Sequence, residues 1–243
     1  MKFLNKDQID FFNINGYLIV NDLLTSEEVA FYSDVYNSFL NNTIDTTGFR
    51  SDLSGNKSEH AEKITQIMVP GKIHPVLLTK PLHQKTTAIA IELLGDDMEL
   101  DFDMLINKAP NTGAETPWHQ DEAYWLDMPD KRAVSCWTAI DRAFLDNGCM
   151  WYTPGSHLKT LLPHIQTGNK GALKCDGKEE ESIYAELQPG SSVFHHGRTM
   201  HYSRGNSTKY NRRAYITNFR PGKMIELERS KGYDHTGDRK SKN

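Results

Sequence analysis

The 243-residue chain has only three cysteines, Cys136, Cys149 and Cys175, and none of them stands in a C-x-x-C pair. An odd count without paired spacing excludes a disulfide framework and a structural zinc site, and it fits a reducing compartment, so the cytoplasm is the expected location. Long apolar runs are missing as well. The opening MKFLNKDQIDFFNINGYLIV is broken by Asn5, Lys6, Asp7, Gln8 and Asp10, and no later run could span a bilayer. No membrane partner is expected, and the chain is read as mature and unanchored. Positive charge is not in excess either. With 28 Lys and Arg against 32 Asp and Glu, the formal charge of −4 gives no electrostatic reason to expect nucleic acid. Internal repeats are absent, and the sequence carries no signature of an oligomeric state. A small-molecule partner is left as the expectation.

What is present, 37% hydrophobic and 25% charged residues over this length, describes one domain over residues 1–243. Thr25 can cap a helix while Glu28 reaches back to close a capping box. Val29, Tyr32, Val35, Tyr36, Phe39 and Leu40 then form one apolar stripe, predicting a helix to about Asn41. Residues 42–62 are polar and aperiodic and read as a surface loop or flap. A second helix is expected from Pro81 to near Gly95. From about Glu99 the texture changes to short β-like runs: LDFDMLINKA, RAVSCWTAI, GCMWYTPG, SIYAEL, SSVFHHG and RAYITNF. The fold class is therefore α+β, mainly β, with a mainly helical flank over 1–98, a β core over 99–222 and a polar tail over 226–243.

The chemistry concentrates in TPWHQDEAYW and in SSVFHHGRTMHYSRGNSTKYNRRAYITNF. His119 and Asp121 are two residues apart, a spacing that puts both side chains on one side of a strand. Chance alone supplies about one such pair in this composition. His201, at the end of another β-like run, is the corroborating residue. Two histidines and a carboxylate from two strands make the facial triad of a non-haem Fe(II) oxygenase, whose open positions suit a 2-oxo acid and O₂. The far carboxylate of 2-oxoglutarate then needs a cationic fork. Arg212 follows His201 by eleven residues across a turn-forming segment, so the two are expected to face each other on neighbouring antiparallel strands. Arg213 competes for the role. Ala214 and Ile216 share the face of Arg212, which favours Arg212 as the inward residue, although Tyr215 and Phe219 make the opposite face apolar too.

These segments resemble the phytanoyl-CoA dioxygenase family of Fe(II)/2-oxoglutarate-dependent oxygenases over nearly the whole chain. FFNINGYLIVNDLLTSEEV is similar to the family's start, WHQDEAYW to its first metal strand, DNGCMWYTPGSH to its middle hairpin, and HHGRTMHYSRGN with NRRA to its closing strands. The resemblance implies a double-stranded β-helix (jelly roll, cupin-like) with flanking N-terminal helices. It makes His119, Asp121 and His201 the iron ligands and Arg212 the 2-oxoglutarate arginine. It also places Met104 and Trp137 along the carbon chain of 2-oxoglutarate, and Gln120 and Tyr124 toward substrate or cosubstrate. A lysine that contacts the cosubstrate in some members is matched here by Ile64 or Thr65. The implied reaction hydroxylates an unactivated C–H bond of a small metabolite and releases succinate and CO₂. Because Asp121 is present, halogenation is disfavoured.

Other residues read as structural. His60, His74, His83, His157, His164 and His235 are taken as surface or core histidines, and the four tryptophans as core packing. His195 shares the parity of His201 and competes for its role; the family match places the ligand just before Tyr202 and Ser203. Two other functions are compatible with the triad: a zinc-dependent hydrolase or lyase, and a noncatalytic metal-binding β-sandwich module.

Overall fold

The structure is a computed structural model that describes residues 2–54, 62–167 and 172–235. In chain order the elements are α1 (Lys6–Asn15), β1 (Tyr17–Val20), α2 (Ser26–Leu40), β2 (Arg50–Asp52), β3 (Ile64–Met68), the single turn α3 (Pro70–Ile73), α4 (Pro81–Leu94), β4 (Met98–Lys108), β5 (Thr116–His119), β6 (Val134–Ala139), β7 (Met150–Tyr152), β8 (Ile165–Gln166), β9 (Leu173–Lys174), β10 (Ile183–Ala185), β11 (Ser192–His196), β12 (His201–Ser203), β13 (Arg212–Pro221) and α5 (Gly222–Ser230).

Local chemistry sets the helix starts. Thr25 accepts from the Glu28 amide while the Glu28 carboxylate accepts from the Thr25 amide, closing the predicted box on α2. Asn5 and Gln8 do the same for α1, which ends at Gly16 with φ +77°. A side chain at Gly16 would collide with His157 and Thr199, so glycine is required there both for its backbone and for the close approach.

Two antiparallel sheets face each other. The larger runs β1-β11-β6-β13-β4-β3-β2 and the smaller β10-β7-β12-β5. This is the expected double-stranded β-helix with flanking N-terminal helices. Alternation along β6 and β13 sorts the core into layers. Trp137, Ala139, Ala214 and Ile216 point between the sheets, where they meet Met150, Tyr152 and Val193. Cys136, Val134 and Phe219 point outward beneath α1 and α4, and Tyr215 points outward beneath α2. Helices thus cover the outer face of the larger sheet, which is why both parities of β13 are apolar.

The mainly helical flank over 1–98 also supplies β1, β2 and β3, strands of the larger sheet that are too short to show a period. Three expectations need correction. Within the predicted loop 42–62, residues 50–52 form β2, while 55–61 lie outside the described residues. The polar tail begins as helix α5, whose Glu228 is buried among arginines; 236–243 lie outside the described residues. Finally, β12 and β13 are not neighbours. The turn between them crosses from the smaller sheet to the larger, so His201 and Arg212 come from opposite walls.

Candidate active site

His119 ends β5 and His201 opens β12, and the two are directly paired across the ladder. Their rings lie 4.1 Å apart, centroid to centroid. Asp121 opens a 3-10 turn (Asp121–Tyr124) instead of continuing the strand, but the backbone of Gln120 is still extended, so the two-residue alternation carries Asp121 to the side of His119. One ligand atom from each of the three residues lies within 4.8 Å of the others. Nε2 of each histidine is 3.7 Å from Asp121 Oδ1.

The outer hydrogen bonds fix which atoms face inward. Nδ1 of His119 is 2.7 Å from the Pro117 carbonyl, and Nδ1 of His201 is 2.9 Å from that of Thr199. A carbonyl only accepts, so both Nδ1 atoms carry the proton and both Nε2 lone pairs are directed at Asp121. Burial also drives both imidazoles below their ordinary pKa, His201 the more strongly because His119 and His195 lie beside it. Burial would raise the Asp121 carboxyl, but His201 and the His195 hydrogen bond hold it well below the usual carboxylate range. Its Oδ2 accepts from Ser135 Oγ at 2.7 Å and from His195 Nε2 at 3.1 Å, and Asn218 in turn donates to Ser135. His195 therefore grips the far oxygen of the carboxylate, which separates its role from that of His201. Two neutral imidazoles and one oriented carboxylate form a donor set that fits Fe(II).

Across the barrel, Arg212 is 1% exposed and its guanidinium lies over the Trp137 ring at 5.0 Å. Its Nε and one Nη have no protein partner. Burial pushes the group down to about 10, which still leaves it cationic at neutral pH. A buried, unpaired cation is costly, and a bound carboxylate is the group that would satisfy it. Arg213 points out and pairs with Asp141 at 2.7 Å, so it is not a rival. Met104, Ile216 and Trp137 stand side by side across β4, β13 and β6, forming an apolar wall next to Arg212.

Two weaker expectations fare differently. The Gln120 amide is committed elsewhere: it donates to the Arg198 carbonyl at 2.7 Å and accepts from the Leu162 amide at 2.9 Å, so it braces two loops instead of facing substrate. The Tyr124 ring stands edge-on to His119, 5.8 Å away, and its hydroxyl accepts from the Leu173 amide. One residue was missed. Ser203, two positions after His201 on the same strand, is buried with an unpartnered Oγ. The i, i+2 rule that linked His119 to Asp121 applied equally to it. The three cysteines are free and buried, and burial pushes Cys136 and Cys149 up to about 12 and Cys175 up to about 11, which keeps all three as neutral thiols.

Fold and site together define a non-haem Fe(II), 2-oxoglutarate-dependent oxygenase. The sequence profile of phytanoyl-CoA dioxygenase (PhyH) matches residues 12–214, and the chain belongs to that family. It is 26% identical over 233 residues to the human peroxisomal phytanoyl-CoA dioxygenase, covering 89% of this chain and 68% of the human protein. A probable phytanoyl-CoA dioxygenase of Caenorhabditis elegans is 27% identical over 230 residues, covering 87% and 73%. Among solved structures, EvdO2 from Micromonospora carbonacea var. aurantiaca complexed with 2-oxoglutarate superposes with a TM-score of 0.74 at 28% identity, over 90% of this chain and 91% of that one.

The relatives correct one expectation. Those from human, cattle, mouse and rat are peroxisomal proteins, against the cytoplasmic location inferred from cysteine content. Unpaired buried thiols report a reducing environment and do not distinguish one reducing compartment from another. Among the described residues, no helix is long and apolar enough to cross a membrane.

Proposed function

We propose that His119, Asp121 and His201 hold Fe(II), that Arg212 clamps the distal carboxylate of 2-oxoglutarate, and that the enzyme hydroxylates a C–H bond of a small-molecule metabolite. The observation that carries the assignment is the unpaired, buried guanidinium of Arg212 facing a triad whose Nε2 atoms are already oriented. When bound, iron and 2-oxoglutarate supply the oxidising chemistry, with succinate and CO₂ as coproducts. The chain's own residues do the rest. Pro117 and Thr199 lock the imidazole tautomers, while Ser135 and His195 leave one oxygen of Asp121 free to ligate. Trp137 and Met104 line the cosubstrate's carbon chain and exclude water, and Ser203 Oγ donates to the same carboxylate as Arg212.

Asp121 exposes 22% of its side chain while both ligand histidines are nearly closed off, which supports an opening sized for a small molecule. A zinc hydrolase would have no use for an unpaired arginine opposite its metal. The interleaving of β1–β3 with the later strands in one sheet supports a single catalytic domain over 1–243. The test is anaerobic addition of Fe(II) and 2-oxoglutarate. A visible charge-transfer band is expected, followed by succinate when oxygen is admitted; absence of both would overturn the assignment. Candidate metabolites are then screened for stimulated succinate formation and for a product heavier by one oxygen.

A further inference from the structure

Tyr152 on β7 is fully buried, and its hydroxyl has no protein partner. Three other buried tyrosines commit theirs: Tyr32 accepts from the Leu82 amide, Tyr202 donates to Glu179 and Tyr215 donates to Asp103. Tyr36 is also unpaired, but it belongs to the outer layer beneath α2, whereas Tyr152 lies between the sheets.

Its place there is specific. Tyr152 is paired with His201 across the ladder, and its ring stacks on that ligand's ring at 5.9 Å. On its other side it stacks on Tyr17 at 5.6 Å, which fixes the ring plane. It packs in the same cluster as Trp137, the ring beneath the Arg212 guanidinium. Tyr152 thus bridges the metal side of the barrel and the arginine side. A buried hydroxyl without a partner destabilises the free protein, and it fits this position if a ligand supplies an acceptor. A phenol keeps its proton at neutral pH and donates to an acceptor placed against it.

We infer that the Tyr152 hydroxyl donates a hydrogen bond to the distal carboxylate of 2-oxoglutarate, completing with Arg212 and Ser203 a three-residue cradle. This rests on the function proposed above. The cradle makes the chain selective for 2-oxo acids bearing a second carboxylate, since a ligand without one leaves a hydroxyl and a guanidinium unpaired.

The experiment is titration of the Fe(II) protein under anaerobic conditions with 2-oxoglutarate and, separately, with 2-oxobutyrate, followed by the charge-transfer band and by calorimetry. Tyr152→Phe is expected to weaken 2-oxoglutarate binding about tenfold and to leave 2-oxobutyrate binding unchanged. Equal loss for both ligands would assign Tyr152 to packing alone, and unchanged 2-oxoglutarate affinity would also overturn the inference. The metal-free variant gives a second readout. Its thermal midpoint should hold or rise, because an unpaired hydroxyl is gone, while the added stabilisation by 2-oxoglutarate shrinks. A fall in the metal-free midpoint would count against the inference. Wild-type protein that binds no 2-oxoglutarate would instead overturn the underlying function.

Discussion

Among the described residues, two clusters combine histidine and carboxylate groups within reach of one point. His119, Asp121 and His201 meet inside the barrel; Asp101, Glu228 and His235 meet beneath helix α5. The residue types are nearly the same and the uses differ, because of what satisfies each lone pair. In the second cluster Arg220 pairs with both Asp101 and Glu228, and Arg229 reaches both as well. Burial would raise the Asp101 carboxyl, yet His235 and the two arginines hold it at about 2. That cluster is closed on itself and ties the C-terminal segment to β4 and β13. In the first, the cation is kept apart. Arg212 stands unpaired across the barrel, and the imidazole lone pairs converge on a carboxylate with one oxygen already occupied. Open valence, more than residue composition, marks the functional site.

The largest effect that could break this comparison is on iron. Replacing His201 with alanine should lower Fe(II) affinity by more than about a hundredfold, beyond what loss of an outer hydrogen bond costs, and abolish succinate formation. His235→Ala should leave both unchanged. Iron content per chain and succinate yield, measured on the two variants side by side, decide the matter, and iron lost from the His235 variant would make the clusters equivalent.

Next in size is a contrast between arginines. Arg220→Met takes the most buried cation from two buried carboxylates, leaving them Arg229 and His235, and should destabilise the protein by up to about 3 kcal/mol in urea unfolding. Arg212→Met strands nothing, so the metal-free protein should be as stable as wild type or more so, while 2-oxoglutarate affinity falls about a hundredfold. A large stability loss in the Arg212 variant would mean that its guanidinium has a protein partner after all.

Local signals were legible in the sequence, and long-range ones were not. The Thr25–Glu28 box and Pro81 each act within one helical turn, and α2 and α4 begin where those residues place them. The Asn5–Gln8 box carries the same signal for α1, but those polar residues were read only as interrupting an apolar run. Sheet membership depends on partners far along the chain. The eleven residues from His201 to Arg212 look like a hairpin but pass from one sheet to the other, so the expected pairing of their strands fails although Arg212 is buried as expected. Parity discriminated poorly at β13 because helices bury its outer face as well. Gln120 illustrates a different gap: adjacency to a ligand in sequence says nothing about which loops a side chain will tie together.

The smallest expected effect concerns protonation and separates the clusters most finely. A ligand histidine must be neutral, whereas His235 sits 2.9 Å from Glu228 and 3.3 Å from Asp101 as an ion-pairing group. Burial would lower its pKa, but the hydrogen bonds and charges of those two acids outweigh it, and the value is raised above 6.5. The folded state therefore holds this proton more tightly than the unfolded state. Its stabilising contribution is full below about pH 6.5 and is lost as pH rises through the raised value. In thermal melts across this range, the advantage of wild type over His235→Gln should be greatest at the acid end and shrink toward alkaline pH. Added Fe(II) should leave that trend intact, because the metal binds the other cluster. A gap that stays constant with pH, or that follows iron, would show that His235 is not held as a cation by its acids.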